Sequence, residues 1–147
     1  MTELATKAFG KIDIDPMQII SFQEGLFGFS GYEDFALIED REDSPFKWLQ
    51  SVQDTELAFV LIQPELFLAE EYVPSVAKAD LEILEAQSVE ECLVFAIVTI
   101  PEKDPRSMTA NLQGPVLINA KKRIGRQAIS NNDKHSVRVP ILEQLEG

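Results

Sequence analysis

The segment FQEGLFGF, which starts at Phe22, restricts the possible folds of this chain more than any other stretch. Glycine reaches backbone conformations that a side chain forbids, so Gly25 and Gly28 permit a sharp bend. Phe22, Leu26 and Phe29 compete for burial, which requires the chain to turn back on itself. The segment therefore predicts a tight, apolar, bulged turn that follows a strand.

Short apolar segments recur along the chain and predict β-strands. The predicted strands cover residues 11–15, 19–22, 35–38, 46–52, 57–62, 93–100, 109–112 and 116–119, the last two on either side of Gly114-Pro115. A helix is predicted at 77–86 with Ser75 as its cap, and a turn at 88–91 in which Ser88 and Glu91 form a capping box. Because regular βαβ alternation is absent, we predict a mainly β fold, a small antiparallel barrel-like or sandwich domain with one or two short helices.

Chain length and cysteine content indicate one domain in a reducing compartment. The 147 residues are expected to form a single domain, 1–147, with a polar and mobile tail at about 130–147. One cysteine excludes an internal disulfide framework. The first nine residues are too polar and too short for a signal peptide, and no apolar run approaches the roughly 20 residues of a membrane helix. We therefore expect a cytoplasmic protein without membrane contact.

Acidic charge is concentrated in the first two thirds of the chain. The formal net charge is −12; residues 1–100 carry 20 acidic and five basic side chains, whereas residues 101–147 carry five acidic and eight basic ones. A phosphate backbone is repelled by such a surface, so direct nucleic-acid binding is not expected. A basic protein partner is attracted and steered. The alternative is that the charge only keeps the protein soluble.

The sequence carries no recognisable catalytic motif. His135, the only histidine, is expected to be a solvated loop residue, and Cys92 a small core residue. Together they do not supply the usual ligands of a zinc site, and adjacent acids such as Glu70 and Glu71 diverge rather than face a cleft. We therefore expect neither catalysis nor a cofactor. The basic cluster at 121–126 is expected to pair with the protein's own acids, with an anchor for an acidic partner segment as the alternative.

Four blocks in this order, at 22–29, 45–52, 57–64 and 109–119, resemble the FliW family of flagellar assembly factors. The resemblance implies a small cytoplasmic β protein that acts by binding two partners. One partner is flagellin, which is held before export; the other is the RNA-binding translational repressor CsrA, which silences the flagellin message. Release of flagellin frees the protein to antagonise the repressor, so secretion and synthesis are coupled without catalysis or a cofactor.

The residues of the matched blocks divide into structural positions and candidate contacts. Phe27, at the turn tip, is the candidate flagellin contact, and Asn111 either satisfies buried backbone groups or lines that partner site. The expected repressor contacts rest on the charge distribution and are Glu65, Glu70, Glu71, Glu90 and Glu91. The positions expected mainly to shape the fold are Phe22, Gly25, Leu26, Gly28, Phe29, Leu112, Pro115 and Asn119, and Trp48 is expected in the core.

Two segments depart from the family pattern. Residues 73–91 match loosely, and the tail at 130–147 has no match of its own.

The alternative function is an export chaperone for flagellin without a translational role. A carbohydrate-active β domain is a third alternative, and it requires an acid pair that lines a cleft.

Overall fold

A computed structural model describes residues 2–39, 44–68, 72–132 and 135–142. Within these residues the strands are β1 (Thr2–Thr6), β2 (Gly10–Ile14), β3 (Ile19–Ser21), β4 (Asp34–Glu39), β5 (Phe46–Ser51), β6 (Ala58–Ile62), β7 (Leu93–Thr99), β8 (Thr109–Asn119), β9 (Ile124–Gln127) and β10 (Val139–Pro140). One α-helix, α1 (Lys78–Ile83), and four 3-10 turns, Pro16–Gln18, Pro64–Leu66, Val89–Glu91 and Pro105–Ser107, complete the described elements. In this part of the chain no helix has the length and apolar character needed to cross a membrane.

Seven strands form a closed barrel. β3 to β8 pair in sequence order as an antiparallel meander, and β9 pairs with β8 on one side and with β3 on the other. The β3–β9 contact is parallel and consists of the pair Ser21 and Ile124. β1 and β2 form a separate hairpin, and β10 pairs with the first part of β8. The predicted mainly β, barrel-like fold is confirmed.

Alternate residues of the strands fill the barrel or face outward. On β4, Phe35 belongs to the inner core, whereas Ala36 and Ile38 lie under the β1–β2 hairpin. On β6, Leu61 points inward, whereas Ile62 faces outward. Ile62 belongs to a cluster on the outside of the barrel, which we call the outer cluster and which comprises Ile62, Phe67, Ala96, Val98, Ala110, Leu112 and Ile141. The inner core comprises Ile20, Phe22, Leu26, Phe35, Leu49, Leu61, Phe95, Val116 and Ile118. Burial on both faces explains why these strands are apolar without alternation.

Three separate elements cover the outside of the barrel. The hairpin packs Leu4 and Ile14 over β4, with Trp48 half-buried at the edge and its ring 5.5 Å from Phe9. Phe67 and Ile141 cover β7 and the first part of β8. Leu84, Leu117 and Ala128 form the cluster under the segment that contains α1. The expected core position of Trp48 is therefore met only in part.

β8 is one strand with a bulge, whereas the sequence predicted two strands separated by Gly114-Pro115. A two-residue step on β7, from Phe95 to Ile97, faces a five-residue step on β8, from Asn111 to Val116. The Oδ1 atom of Asn111 accepts the backbone N–H groups of Gln113 (3.0 Å) and Gly114 (2.9 Å), which holds the extra residues. The bulge divides the strand into a part that pairs with β10 and a part that pairs with β9.

The helix is shorter than predicted and is capped differently. Its N-cap is Ala77, and no side chain caps it there. Ser75 instead pairs through its backbone with residues 130 and 131. At the other end, the Nδ2 atom of Asn119 donates to the Leu84 carbonyl at 2.8 Å, and Glu85 takes a positive φ of 55°. The predicted capping box of Ser88 and Glu91 is confirmed.

The described part of the expected tail is packed against the barrel. β10 lies on β8, and the side chain of Ile141 is buried in the outer cluster with Phe67. His135 was expected to be solvated, but its ring lies 4.6 Å from that of Tyr72, and its Nδ1 lies 2.7 Å from Ser130 Oγ. Tyr72 in turn donates to the Leu112 carbonyl. Residues 130–132 and 135–142 thus continue the fold.

We predict that this packing weakens on acidification. Burial lowers the pKa of His135 below its ordinary value of about 6.5, so the folded state favours the neutral ring. Stability therefore rises with pH between the folded pKa and about 6.5, and it falls as pH drops through this window. Urea midpoints compared at pH 7.5 and 5.5 should show the loss. His135→Gln, which removes the only histidine, should reduce the difference; an unchanged difference contradicts the assignment.

Candidate functional site

Three connections gather at one end of the barrel, which we call the aromatic end. They are residues 22–33 between β3 and β4, 52–57 between β5 and β6, and 100–108 between β7 and β8. Their common position follows from the antiparallel meander, in which alternate connections share an end. The longer connection at 63–92 begins and ends at the opposite end, where the turn at 120–123 also lies. Its middle reaches back along the barrel, since Asp80 and Glu24 both bind Arg126.

The glycine-rich segment forms the predicted turn at this end. Phe22 and Leu26 are buried, and Leu26 bridges to Phe29. Gly25 has a φ of +71°, and a Cβ atom there would lie 2.5 Å from the Phe29 carbonyl oxygen, so a side chain does not fit. The ring of Phe27, in contrast, is 53% exposed. Phe29, which was expected to compete for burial, is 36% exposed, so the turn buries Phe22 and Leu26 and presents two aromatic residues to solvent.

A buried glutamine fixes the backbone of this exposed residue. The Oε1 atom of Gln127 accepts the Phe27 N–H at 2.9 Å, and its Nε2 atom donates to the Gly114 carbonyl at 3.0 Å. Gln127 is only 7% exposed. It therefore joins the aromatic turn to the β8 bulge, the two blocks that carry the strongest resemblance. Gln127 was not predicted as a site residue, because the weak alternation around β9 does not indicate that this polar side chain points inward.

Three further residues of the matched blocks lie on β8, the strand that contains Gly114. The carbonyl of the buried residue Pro115 accepts the Ala128 N–H at 2.9 Å, and Leu112 packs in the outer cluster with Ile141. Because the side-chain Oδ1 atom of Asn111 already accepts two backbone N–H groups of the bulge, the geometry favours the alternative in which Asn111 satisfies backbone groups. A flagellin contact by Asn111 stays a prediction.

The acidic residues predicted from the charge distribution lie away from the aromatic end. Glu65 is exposed in the turn Pro64–Leu66, and Glu90 is exposed in the turn Val89–Glu91, both in the connection at the opposite end. The Glu91 carboxylate accepts the N–H groups of residues 87 and 88. Glu70 and Glu71 lie outside the described residues. Of these five acids, Glu91 has a structural task, and the repressor contacts stay predictions.

A second acidic group, which the sequence analysis did not single out, lies at the aromatic end. Glu33 ends the first connection, Asp34 begins β4, and Asp54 and Glu56 lie in the second connection. Gln53 joins the two connections, because its side chain accepts the Glu33 N–H at 2.9 Å and donates to the Gly31 carbonyl at 3.3 Å. Glu33 and Asp34 are adjacent, and Asp54 and Glu56 are separated by one residue, but the two pairs lie about 20 residues apart in sequence, so no long charge run marked them.

Comparison with known proteins decides the family. The family model described as FliW protein matches residues 3–141. The chain belongs to the FliW family. It is 51% identical over 141 residues to the flagellar assembly factor FliW of Leptospira interrogans serogroup Icterohaemorrhagiae, a match that covers 96% of this chain and 93% of the relative. It is 46% identical to the flagellar assembly factor FliW of Leptospira biflexa, with 96% and 92% covered.

A solved structure agrees with the FliW fold. The crystal structure of the flagellar assembly factor FliW superposes with a TM-score of 0.83 at 34% sequence identity and covers 95% of this chain and 96% of that one. Because the FliW family match extends to residue 141, most of the segment beyond residue 130 belongs to the family region. The expected lack of a match for 130–147 was therefore wrong as far as residue 141, which agrees with the packing of Ile141.

Two basic side chains of the cluster at 121–126 form ion pairs with acids of this FliW-family protein. Arg126 donates from Nε to Asp80 at 2.5 Å and from Nη1 to Glu24 at 2.8 Å. Burial alone would lower the pKa of Arg126, but the hydrogen bonds to Asp80 and Glu24 outweigh it and raise the pKa. Lys122 pairs with Glu85 at 3.8 Å. The expected pairing with the protein's own acids is confirmed for Arg126 and Lys122, and it removes basic charge from beside the aromatic turn.

The described residues offer little chemical reactivity. Burial, assisted by the charge of Glu91, raises the pKa of Cys92, so its thiol is protonated and poorly nucleophilic near neutral pH. Burial likewise raises the pKa of Tyr72 above its usual range. Among the described residues, no group of three or more His, Cys, Asp or Glu side chains is arranged to hold a metal ion. The arrangement is suited to binding.

Proposed function

We propose that this FliW-family protein couples flagellin synthesis to secretion by binding two partners in the cytoplasm, flagellin before its export and a CsrA-type RNA-binding repressor. It acts without catalysis or a cofactor, and it contacts neither nucleic acid nor membrane. The observation that carries the proposal is the exposed Phe27 ring, held on a rigid turn of a strongly acidic flagellar assembly factor.

The rigid turn supports a binding role on energetic grounds. An exposed aromatic ring whose backbone is already fixed loses little conformational entropy on association, so more of its contact energy appears as affinity. Phe27 meets this condition because its N–H is held by Gln127 and the neighbouring Leu26 is buried. Isolated exposed apolar side chains are common, but one that the fold fixes in place is an efficient contact.

The net charge of −12 supports the choice of a basic partner. Complementary potentials accelerate encounter, and their effect declines as salt screens them. Apolar contact with a flagellin segment is much less sensitive to moderate salt. The alternative, an export chaperone without translational role, draws on the same exposed Phe27, so salt dependence separates the two functions.

We predict that calorimetric titration of the full chain with the CsrA-type repressor of the same organism will show binding at about 50 mM salt that weakens by about tenfold or more at about 500 mM. Saturation with flagellin should abolish this binding. Flagellin binding without any repressor binding supports the chaperone alternative and contradicts the regulatory proposal. Repressor binding that flagellin leaves unchanged contradicts the coupling between the two partners.

A further inference from the structure

Several exposed apolar side chains lie at the aromatic end of the barrel. Phe27 and Phe29 lie on the turn, and the Phe29 ring contacts Phe59 at a centroid distance of 5.2 Å. Ile129, 56% exposed, follows Gln127 on an extension of β9. Val52 joins them from the second connection, where its N–H donates to the Asp34 carbonyl at 2.9 Å. Gathered exposed apolar residues of this kind mark interaction surfaces.

The charge around these apolar residues is negative and uncompensated. Glu33, Asp34, Asp54 and Glu56 border the surface, and among the described residues no ion pair joins them to a lysine or arginine. Arg126, at the edge of the turn, is held by two acids of its own. The third connection, at 100–108, carries two acidic and two basic residues and adds no net charge.

We infer that the aromatic end is the docking surface for a basic polypeptide, namely a segment that places an apolar side chain against Phe27 between lysine or arginine residues. Apolar anchors in the centre and charge at the rim are the usual division of labour in a protein interface, since the centre supplies affinity and the rim supplies steering. The inference rests on the proposed function in that the basic partner there is the repressor.

The opposite end is less suited to this partner. Glu91 is occupied by the capping box, and Glu65 and Glu90 lie on two separate 3-10 turns of the connection. Leu66 is 47% exposed beside Glu65, but among the described residues of that connection no aromatic side chain is exposed. We therefore assign the repressor contacts to the acidic rim of the aromatic end and not to Glu65, Glu90 and Glu91.

Charge reversal at the two ends tests the inference with matched variants. The double variant Glu33→Lys/Glu56→Lys changes the rim, and Glu65→Lys/Glu90→Lys changes the net charge equally at the opposite end. All four side chains are exposed, so folding should be preserved. We expect the rim variant to slow association with the repressor about tenfold at low salt, with the difference lost at about 500 mM, and the control to change the rate less than twofold. Phe27→Ser should raise Kd about tenfold or more through faster dissociation.

A control variant that slows association as much as the rim variant overturns the inference, as does wild-type affinity of Phe27→Ser. If the unmodified protein does not bind the repressor at all, the proposed function fails. Whether the aromatic end is a docking surface is then tested by NMR titration of the protein with a synthetic peptide of leucines flanked by lysines. Amide resonance changes centred on residues 26–33 and 52–56 support a docking surface for basic peptides. Changes elsewhere, or none, overturn it.

Discussion

Gly125→Ala is expected to destabilise the fold by about 3 kcal/mol, because a side chain at this position enters the space of the Phe22 ring. A Cβ atom on Gly125 would lie 2.3 Å from Cζ and 2.4 Å from Cε1 of Phe22. The Phe22 ring is fully buried and contacts Phe35 at a centroid distance of 5.5 Å, so it has no free space to enter. Urea unfolding followed by Trp48 fluorescence and circular dichroism measures the loss.

A double-mutant cycle separates this steric effect from a general loss of strand stability. Phe22→Leu should cost about 1–2 kcal/mol alone, because it leaves a cavity. Since the smaller side chain also makes room for the new methyl group, the double variant should cost at least about 1 kcal/mol less than the two single variants together. Additive losses would show that Gly125 and Phe22 do not compete for space.

The contrast between Gly25 and Gly125 shows how far the sequence can be interpreted alone. Gly25 lies in a segment whose aromatic residues already indicate a turn, and its positive φ follows from that local pattern. Gly125 has no local signal, because its lack of a side chain makes room for the ring of Phe22, which lies in a connection distant in sequence. Strands β2 to β8 and the mainly β class were predictable from local apolar patterns, whereas β1 and β10 were not predicted. The closure of the barrel through β3 and β9 was not, because it depends on the pair Ser21 and Ile124.

The residues of the candidate site likewise differ in whether they could be predicted from the sequence. Phe27 could be found, because a turn tip is a place where an aromatic side chain stays exposed. The acidic rim could not, because Glu33 and Glu56 are brought to one end only by the meander and by the bridging side chain of Gln53. Charge counted along the chain favoured the segment around Glu90, where the structure uses one carboxylate for a capping box. Composition shows that the protein carries excess acidic charge, but the topology determines where on the surface the acidic residues come together.

Gln127→Leu is expected to destabilise the protein by about 2–3 kcal/mol and to loosen the aromatic turn. Leucine has a similar volume but leaves the Phe27 N–H and the Gly114 carbonyl without their partner. The Gly114 carbonyl is enclosed and cannot recover a hydrogen bond from water, so its loss dominates at about 1–3 kcal/mol. The Phe27 N–H is partly accessible and costs less. Hydrogen exchange should show faster exchange at the Phe27 amide, and urea unfolding gives the stability change.

Gln53→Leu is the matched control, because Gln53 also makes two side-chain bonds at the aromatic end but is exposed to solvent. Water can replace both of those bonds, so the control should lose less than about 1 kcal/mol. Equal losses in the two variants would show that burial of Gln127 adds nothing, and the turn would then be held by Phe22 and Leu26 alone. A larger loss for Gln127→Leu, together with weaker partner binding, means that the two family-specific blocks act as one unit through a single amide side chain, which lies 100 residues from Phe27 along the chain.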